Sequence, residues 1–105
     1  MKKYGIIGAG AWGSAISTLF DTEEIKIWTR NNRIIQSINK KKKNPYLRGV
    51  TLSKNLVATK SFNDLNYCKF VFIATPAQFV KPILKKLKKN TIQKNFIICS
   101  KGIEI

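Results

Sequence analysis

The chain has 105 residues, with twenty Lys and Arg against five Asp and Glu, a formal net charge of +15 and a pI near 10.2. That length suits a single domain, and 44% hydrophobic residues exclude disorder through lack of core-forming side chains. No apolar run approaches the roughly 20 residues that a membrane-spanning helix needs, and the basic start reaches Gly5 and Gly8 too soon for a secretory signal, so a cytoplasmic protein is expected.

In chain order, Tyr4 to Ile7 is a short apolar run ending at glycine and reads as a strand. Ala15, Ile16, Leu19 and Phe20 then fall on one face of a helix. Ile25 to Trp28 is a second β-type segment, and Ile34, Ile35 and Ile38 repeat the helical spacing up to the lysine run Lys40 to Lys43. Residues 44–54 contain Pro45 and Gly49 without a clear period, the mark of an ordered loop. Leu56 to Thr59 is a short strand. Phe70 to Ala74 is continuously apolar, as a strand covered on both faces would be. Beyond Thr75 and Pro76, the spacing of Phe79, Val80, Ile83, Leu84 and Leu87 predicts one face of a helix, with lysines over the rest. Phe96 to Cys99 is a last strand. Alternation of this kind predicts an α/β fold, a Rossmann-type doubly wound parallel sheet.

The charge invites a nucleic-acid partner, yet lysine outnumbers arginine seventeen to three and spreads along the chain. Neither Lys40–Lys43 nor Lys85–Lys89 is interleaved with aromatics or with the spacings of known reading modules. The first run ends a helix, where cations favour the dipole. Nucleic acid is therefore not the expected partner. Cys68 and Cys99 each sit beside a β-type run and suit reduced core thiols. Histidine is absent, which removes the commonest general base and zinc ligand, and no metal site is expected.

Gly8-Ala9-Gly10-Ala11-Trp12-Gly13 fits G-x-G-x-x-G directly after a strand and at the start of a helix, the context of a dinucleotide fingerprint. Gly8 allows the tight turn, Gly10 lets backbone approach a pyrophosphate, and Gly13 lets helix and strand pack closely. The helix N-terminus then holds the phosphates. A carboxylate after the second strand would select NAD; Trp28-Thr29-Arg30-Asn31-Asn32-Arg33 has none. Arg30 is thus assigned the adenosine end with Arg33 as its helper, and the cofactor reading, NADP or NAD, leans to NADP. Trp12 either covers the pyrophosphate turn or is core. Phe79 either flanks the nicotinamide or packs with Ile83. Lys101, following the last strand, either binds an anionic substrate in the crevice or is one more solvated lysine, and the residues alone leave both open.

Together, Gly8 to Ala15, Trp28-Thr29-Arg30, Asn44-Pro45-Tyr46-Leu47, Leu52 to Leu56, Thr75 to Gln78 and Cys99-Ser100-Lys101-Gly102-Ile103-Glu104 resemble the amino-terminal part of bacterial NAD(P)-dependent glycerol-3-phosphate dehydrogenase. The resemblance implies interconversion of sn-glycerol 3-phosphate and dihydroxyacetone phosphate, in the service of phospholipid synthesis. It implies that Trp12 and Arg30 contact the cofactor and that Lys101 touches both cofactor and substrate. Phe79 matches an aromatic near the nicotinamide in related enzymes. Ser53 departs from a common proline, and the turn between Phe20 and Ile25 is short and acidic.

By the same resemblance the catalytic lysine and the helical domain that encloses the substrate lie beyond residue 105. Residues 1–105 are then an incomplete dinucleotide-binding domain with no catalytic residue of its own, truncated before the helical substrate domain, and the intact enzyme has room for a homodimer. Asp21, Glu23, Glu24, Asp64 and Glu104 offer no substitute base. The alternatives are another Rossmann dehydrogenase, of ketopantoate or 6-phosphogluconate type, and a basic nucleic-acid-binding module.

Overall fold

A computed structural model describes residues 3–20, 24–66, 68–75, 77–88 and 95–98. Five strands, β1 (Lys3–Ile7), β2 (Glu24–Trp28), β3 (Leu56–Thr59), β4 (Phe70–Ile73) and β5 (Asn95–Ile98), form one sheet in the order β3-β2-β1-β4-β5. Every neighbouring pair is parallel. The chain runs outward from β1 through β2 to β3 and then returns to the far side of β1 as β4. The order therefore reverses between β1 and β4, the doubly wound arrangement expected from the alternating pattern.

Both faces of this sheet are covered, which is why its strands read as apolar runs rather than alternating ones. On one face Ile6, Ile25, Ile27, Leu56 and Ala58 pack with Ile16 of helix α1 (Ala11–Ser17), with Ile34 and Ile38 of α2 (Asn32–Lys41), and with Leu52. On the other, Ile7, Trp28, Val71 and Ile73 pack with Leu65, Cys68 and Ile83. Leu65 belongs to a 3₁₀ turn (Phe62–Leu65), and Ile83 belongs to α3 (Val80–Lys88). Cys68 is a buried core thiol, as expected. Cys99 lies outside the described residues.

Two helices differ from their sequence expectation. The first leaves the α conformation after Ser17 and tightens into a 3₁₀ turn over Thr18–Phe20, which swings Leu19 off the buried face to 75% exposure. Likewise a 3₁₀ turn (Ala77–Phe79) precedes α3, so Phe79 is not on the packed helical stripe with Ile83 but stands 51% exposed. The side chains of Phe20, Leu84 and Leu87 lie outside the described residues.

The lysine run does end α2. Lys40 and Lys41 are in its last turn, and Lys42 closes it in the left-handed conformation at φ 55°. Lys42 then holds the return of the chain: its N–H donates to the Ile38 carbonyl and its Nζ to the Leu56 carbonyl, 2.6 Å away. Residues 44–54 form the expected ordered loop. There Ser53 Oγ accepts from the N–H of Asn55 and so makes the turn into β3.

Candidate functional site: a crevice at the carboxyl ends of the strands

Because the strands are parallel, the segments that follow β1, β2 and β4 emerge on one edge of the sheet. Hydrogen bonds bind them together there: the Gly8 N–H donates to the Trp28 carbonyl (2.9 Å), and the Ala74 N–H to the Ile7 carbonyl (2.8 Å).

The glycines of the first segment have separable duties. Gly8 sits at φ 107°, which side chains rarely adopt, and a Cβ there would come 2.9 Å from the Ala74 carbonyl oxygen. A Cβ on Gly13 would collide with the Gly8 carbonyl oxygen, so helix and strand meet there only without a side chain. Gly10 is different. It is the N-cap of α1 in ordinary extended geometry (φ −75°, ψ −169°), and a Cβ built on it meets nothing within 4 Å. Nothing in the fold requires a glycine at that position, whereas a large group laid against the turn from outside would.

The turn is tied from behind. Asn44, only 2% exposed, donates its amide to the Ala9 carbonyl (2.7 Å) and to Ser14 Oγ (2.6 Å). The sequence marks Asn44 as part of a loop and of the Asn44-Pro45-Tyr46-Leu47 segment, but gives no sign of this role.

Beside the turn, Trp28, Arg30, Phe62, Thr75, Phe79, Pro82 and Ile83 line a cleft of about 300 Å³. Trp28 forms its wall: the indole Nε1 donates to the Lys60 carbonyl (2.8 Å), and the ring stacks on Phe62 at 4.4 Å and 12°. The Arg30 guanidinium lies 5.8 Å from the Trp28 ring centroid, within cation–π range, while the side chain stays exposed. Among the described residues the cleft's walls are thus mostly apolar and aromatic with one cation, Arg30, the usual make-up of a small-molecule site. Thr75 Oγ1 is buried here with no hydrogen-bond partner among the described residues. No carboxylate follows β2, and no group of three His, Cys, Asp or Glu fit to hold a metal occurs among the described residues.

The structure therefore gathers Gly8, Gly10, Gly13, Arg30 and Phe79 at one edge. It brings Phe79 to the cleft that Arg30 borders. Arg33 does not join Arg30; it lines a separate groove along α2 with Gln36, Ser37, Lys40 and Lys41. Trp12 belongs to α1, but its side chain lies outside the described residues, as does the whole of Lys101. The Asp64 carboxylate accepts from the Thr59 hydroxyl. The sequence places Trp28 at the end of a strand and in the Trp28-Thr29-Arg30 segment but does not single out Phe62, because a cleft wall assembled from β2 and a 3₁₀ turn has no local spacing to betray it.

Comparison with known proteins agrees with this geometry. The profile of the family described as NAD-dependent glycerol-3-phosphate dehydrogenase N-terminus matches residues 3–105. The glycerol-3-phosphate dehydrogenase [NAD(P)+] of Neorickettsia sennetsu is 41% identical over 103 residues, covering 94% of this chain and 31% of that protein. Among solved structures, the glycerol-3-phosphate dehydrogenase of Plasmodium falciparum superimposes with a TM-score of 0.81 at 28% identity, over 92% of this chain and 31% of that one. The enzyme from Saccharomyces cerevisiae gives 0.82 at 25% identity, over 93% of this chain and 33% of its own. The chain spans about 30% of the length of the curated relatives it matches. With a doubly wound sheet, a glycine turn of the dinucleotide type and a family profile matching nearly its whole length, the chain belongs to the NAD-dependent glycerol-3-phosphate dehydrogenase N-terminal family.

Proposed function

We propose that this chain is the cofactor-binding portion of an oxidoreductase that interconverts sn-glycerol 3-phosphate and dihydroxyacetone phosphate with NADP or NAD. The observation that carries the reading is Gly10, a glycine that the fold does not need and that faces open space at a helix N-terminus. A pyrophosphate fits that description, because the backbone N–H groups and the positive end of the helix point at an anion that a side chain would hold off. Gly8 and Gly13 build the turn, Arg30 takes the adenosine end, and Phe79, which shares the cleft with Arg30, belongs in this reading beside the adenosine rather than the nicotinamide. The arginine, with no acid near it at the end of β2, favours the 2′-phosphate of NADP.

When bound, the nicotinamide supplies the hydride donor or acceptor. The chain's own residues position the dinucleotide, and Lys101 is assigned to cofactor and anionic substrate on the strength of the family resemblance. The base and the enclosure of the substrate come, in this reading, from a helical domain beyond residue 105, so the 105 residues bind cofactor weakly and do not turn over. The reading also places the reaction in the cytoplasm and assigns any homodimer to the whole enzyme.

The test is a titration of the chain with NADPH, NADH and duplex DNA, each at two salt concentrations, for the native sequence and for Gly10→Ala. NADPH should bind ahead of NADH, and Gly10→Ala should weaken it at least tenfold. Stability should change by no more than about 1 kcal/mol, since the reduced entropy of the unfolded chain opposes the poorer N-cap. Binding of DNA at micromolar strength in physiological salt with none of NADPH would overturn the proposal in favour of a nucleic-acid module.

A further inference from the structure

We infer that Asn44 is a positioning residue for the phosphate-facing turn: by holding the Ala9 carbonyl and the Ser14 hydroxyl, it sets the direction of the Gly10 N–H. The inference rests on the proposed binding of a dinucleotide at that turn.

Both amide hydrogens of Asn44 are used, one on Ala9 O at 2.7 Å and one on Ser14 Oγ at 2.6 Å. Its Oδ1 accepts from the Tyr46 N–H at 2.9 Å, so the buried side chain is committed on both its donor and its acceptor sides. Ala9 and Ser14 stand on either side of Gly10 in sequence, and both are themselves buried. The peptide between Ala9 and Gly10 is trans, for the described chain has no cis bond. In a trans peptide the C=O and N–H point in opposite directions. Pulling the Ala9 carbonyl toward Asn44 therefore aims the Gly10 N–H away from Asn44. A flip of that peptide would have to break the Asn44 bond and leave a buried amide hydrogen unpaired.

The turn needs an outside hold of this kind. Gly10 contributes no side-chain cap, and α1 has only seven residues, below the length at which a helix sustains its own first turn. Its geometry is thus imposed by a residue 35 positions from Ala9 and 30 from Ser14. The loop is fixed in turn at its base, where the Leu47 N–H donates to the Asn44 carbonyl (2.9 Å) and the Leu52 N–H to the Lys42 carbonyl (2.7 Å).

The experiment compares two ligands on the 105-residue chain: NADPH, which carries the pyrophosphate, and adenosine 2′-monophosphate, which lacks it and probes only the Arg30 end. In Asn44→Ala, the Kd for NADPH should rise about tenfold while that for adenosine 2′-monophosphate stays within twofold. A loss shared equally by the two ligands marks a general structural role and overturns the inference, as does an NADPH Kd that does not move. Should Asn44→Ala fail to fold, Ser14→Ala decides, because it deletes one of the two ties: a threefold loss confined to NADPH supports the inference, and an equal or absent loss overturns it. If the native chain itself does not bind NADPH, the dinucleotide reading has failed and this inference falls with it. NADPH binding that is intact in both native and variant chains sinks this inference alone.

Discussion

The hydroxyl of Thr75 is buried where β4 ends and finds no hydrogen-bond partner among the described residues. A hydroxyl withdrawn from water and left unpaired costs about 1–3 kcal/mol, whereas the methyl of the same side chain has a place against Gly8: a Cβ added there would meet Thr75 Cγ2 at 3.1 Å. Replacing the hydroxyl by a second methyl keeps the branched shape and removes the penalty. Thr75→Val should therefore stabilise the chain by about 1 kcal/mol, read as a rise of about 4–8 °C in Tm. A fall in Tm would mean that the hydroxyl is satisfied and that the cleft is more polar than its lining indicates. At this scale the sequence was partly legible. The spacing of Gly8, Gly10 and Gly13 encodes backbone approach within six residues, so it could be read directly. Asn44 and Thr75 act through atoms that the fold brings together from elsewhere, and nothing in their neighbours in the chain announces it.

Among the elements, the strands were legible because a parallel sheet buried on both faces demands unbroken runs such as Phe70 to Ile73. The helices were less so. A period of 3.6 residues assumes that the helix continues, and it carried the expected face of α1 as far as Leu19 although the α conformation ends at Ser17. The 3₁₀ turn before α3 displaced Phe79 in the same way, with the opposite consequence for function, since it moved the ring from the core stripe to the cleft. α2 is the well-formed case. Asn31 caps it by accepting from the N–H groups of Arg33 (3.0 Å) and Ile34 (3.3 Å), while Ile34 and Ile38 anchor its buried side. Because the cap residue Asn31 directly follows Arg30, it also fixes where the cationic rim of the cleft stands. Asn31→Ala should cost about 1 kcal/mol, seen as a lower denaturant midpoint at unchanged m-value. An unaltered midpoint would show that packing of Ile34 and Ile38 alone holds the helix start.

For the molecule as a whole, the net charge of +15 also acts on stability. Five acids can neutralise at most five of the twenty basic side chains, so a net charge of +15 is carried by a body whose Cα radius of gyration is only 12.7 Å. At 0.1 M salt the Debye length is about 10 Å, comparable with that radius, and at 1 M it shrinks to about 3 Å. Self-repulsion of the compact state is therefore substantial at the lower concentration and nearly screened at the higher one. Attractive ion pairs are screened too, but with so few acids they contribute little to lose, and exposed pairs are worth about 0–1 kcal/mol each. Repulsion wins this comparison. Raising NaCl from 0.1 to 1 M should increase Tm by about 5 °C, corresponding to roughly 1 kcal/mol for a domain of this size. The opposite trend, a Tm that falls with salt, would show that a few local pairs outweigh the net charge.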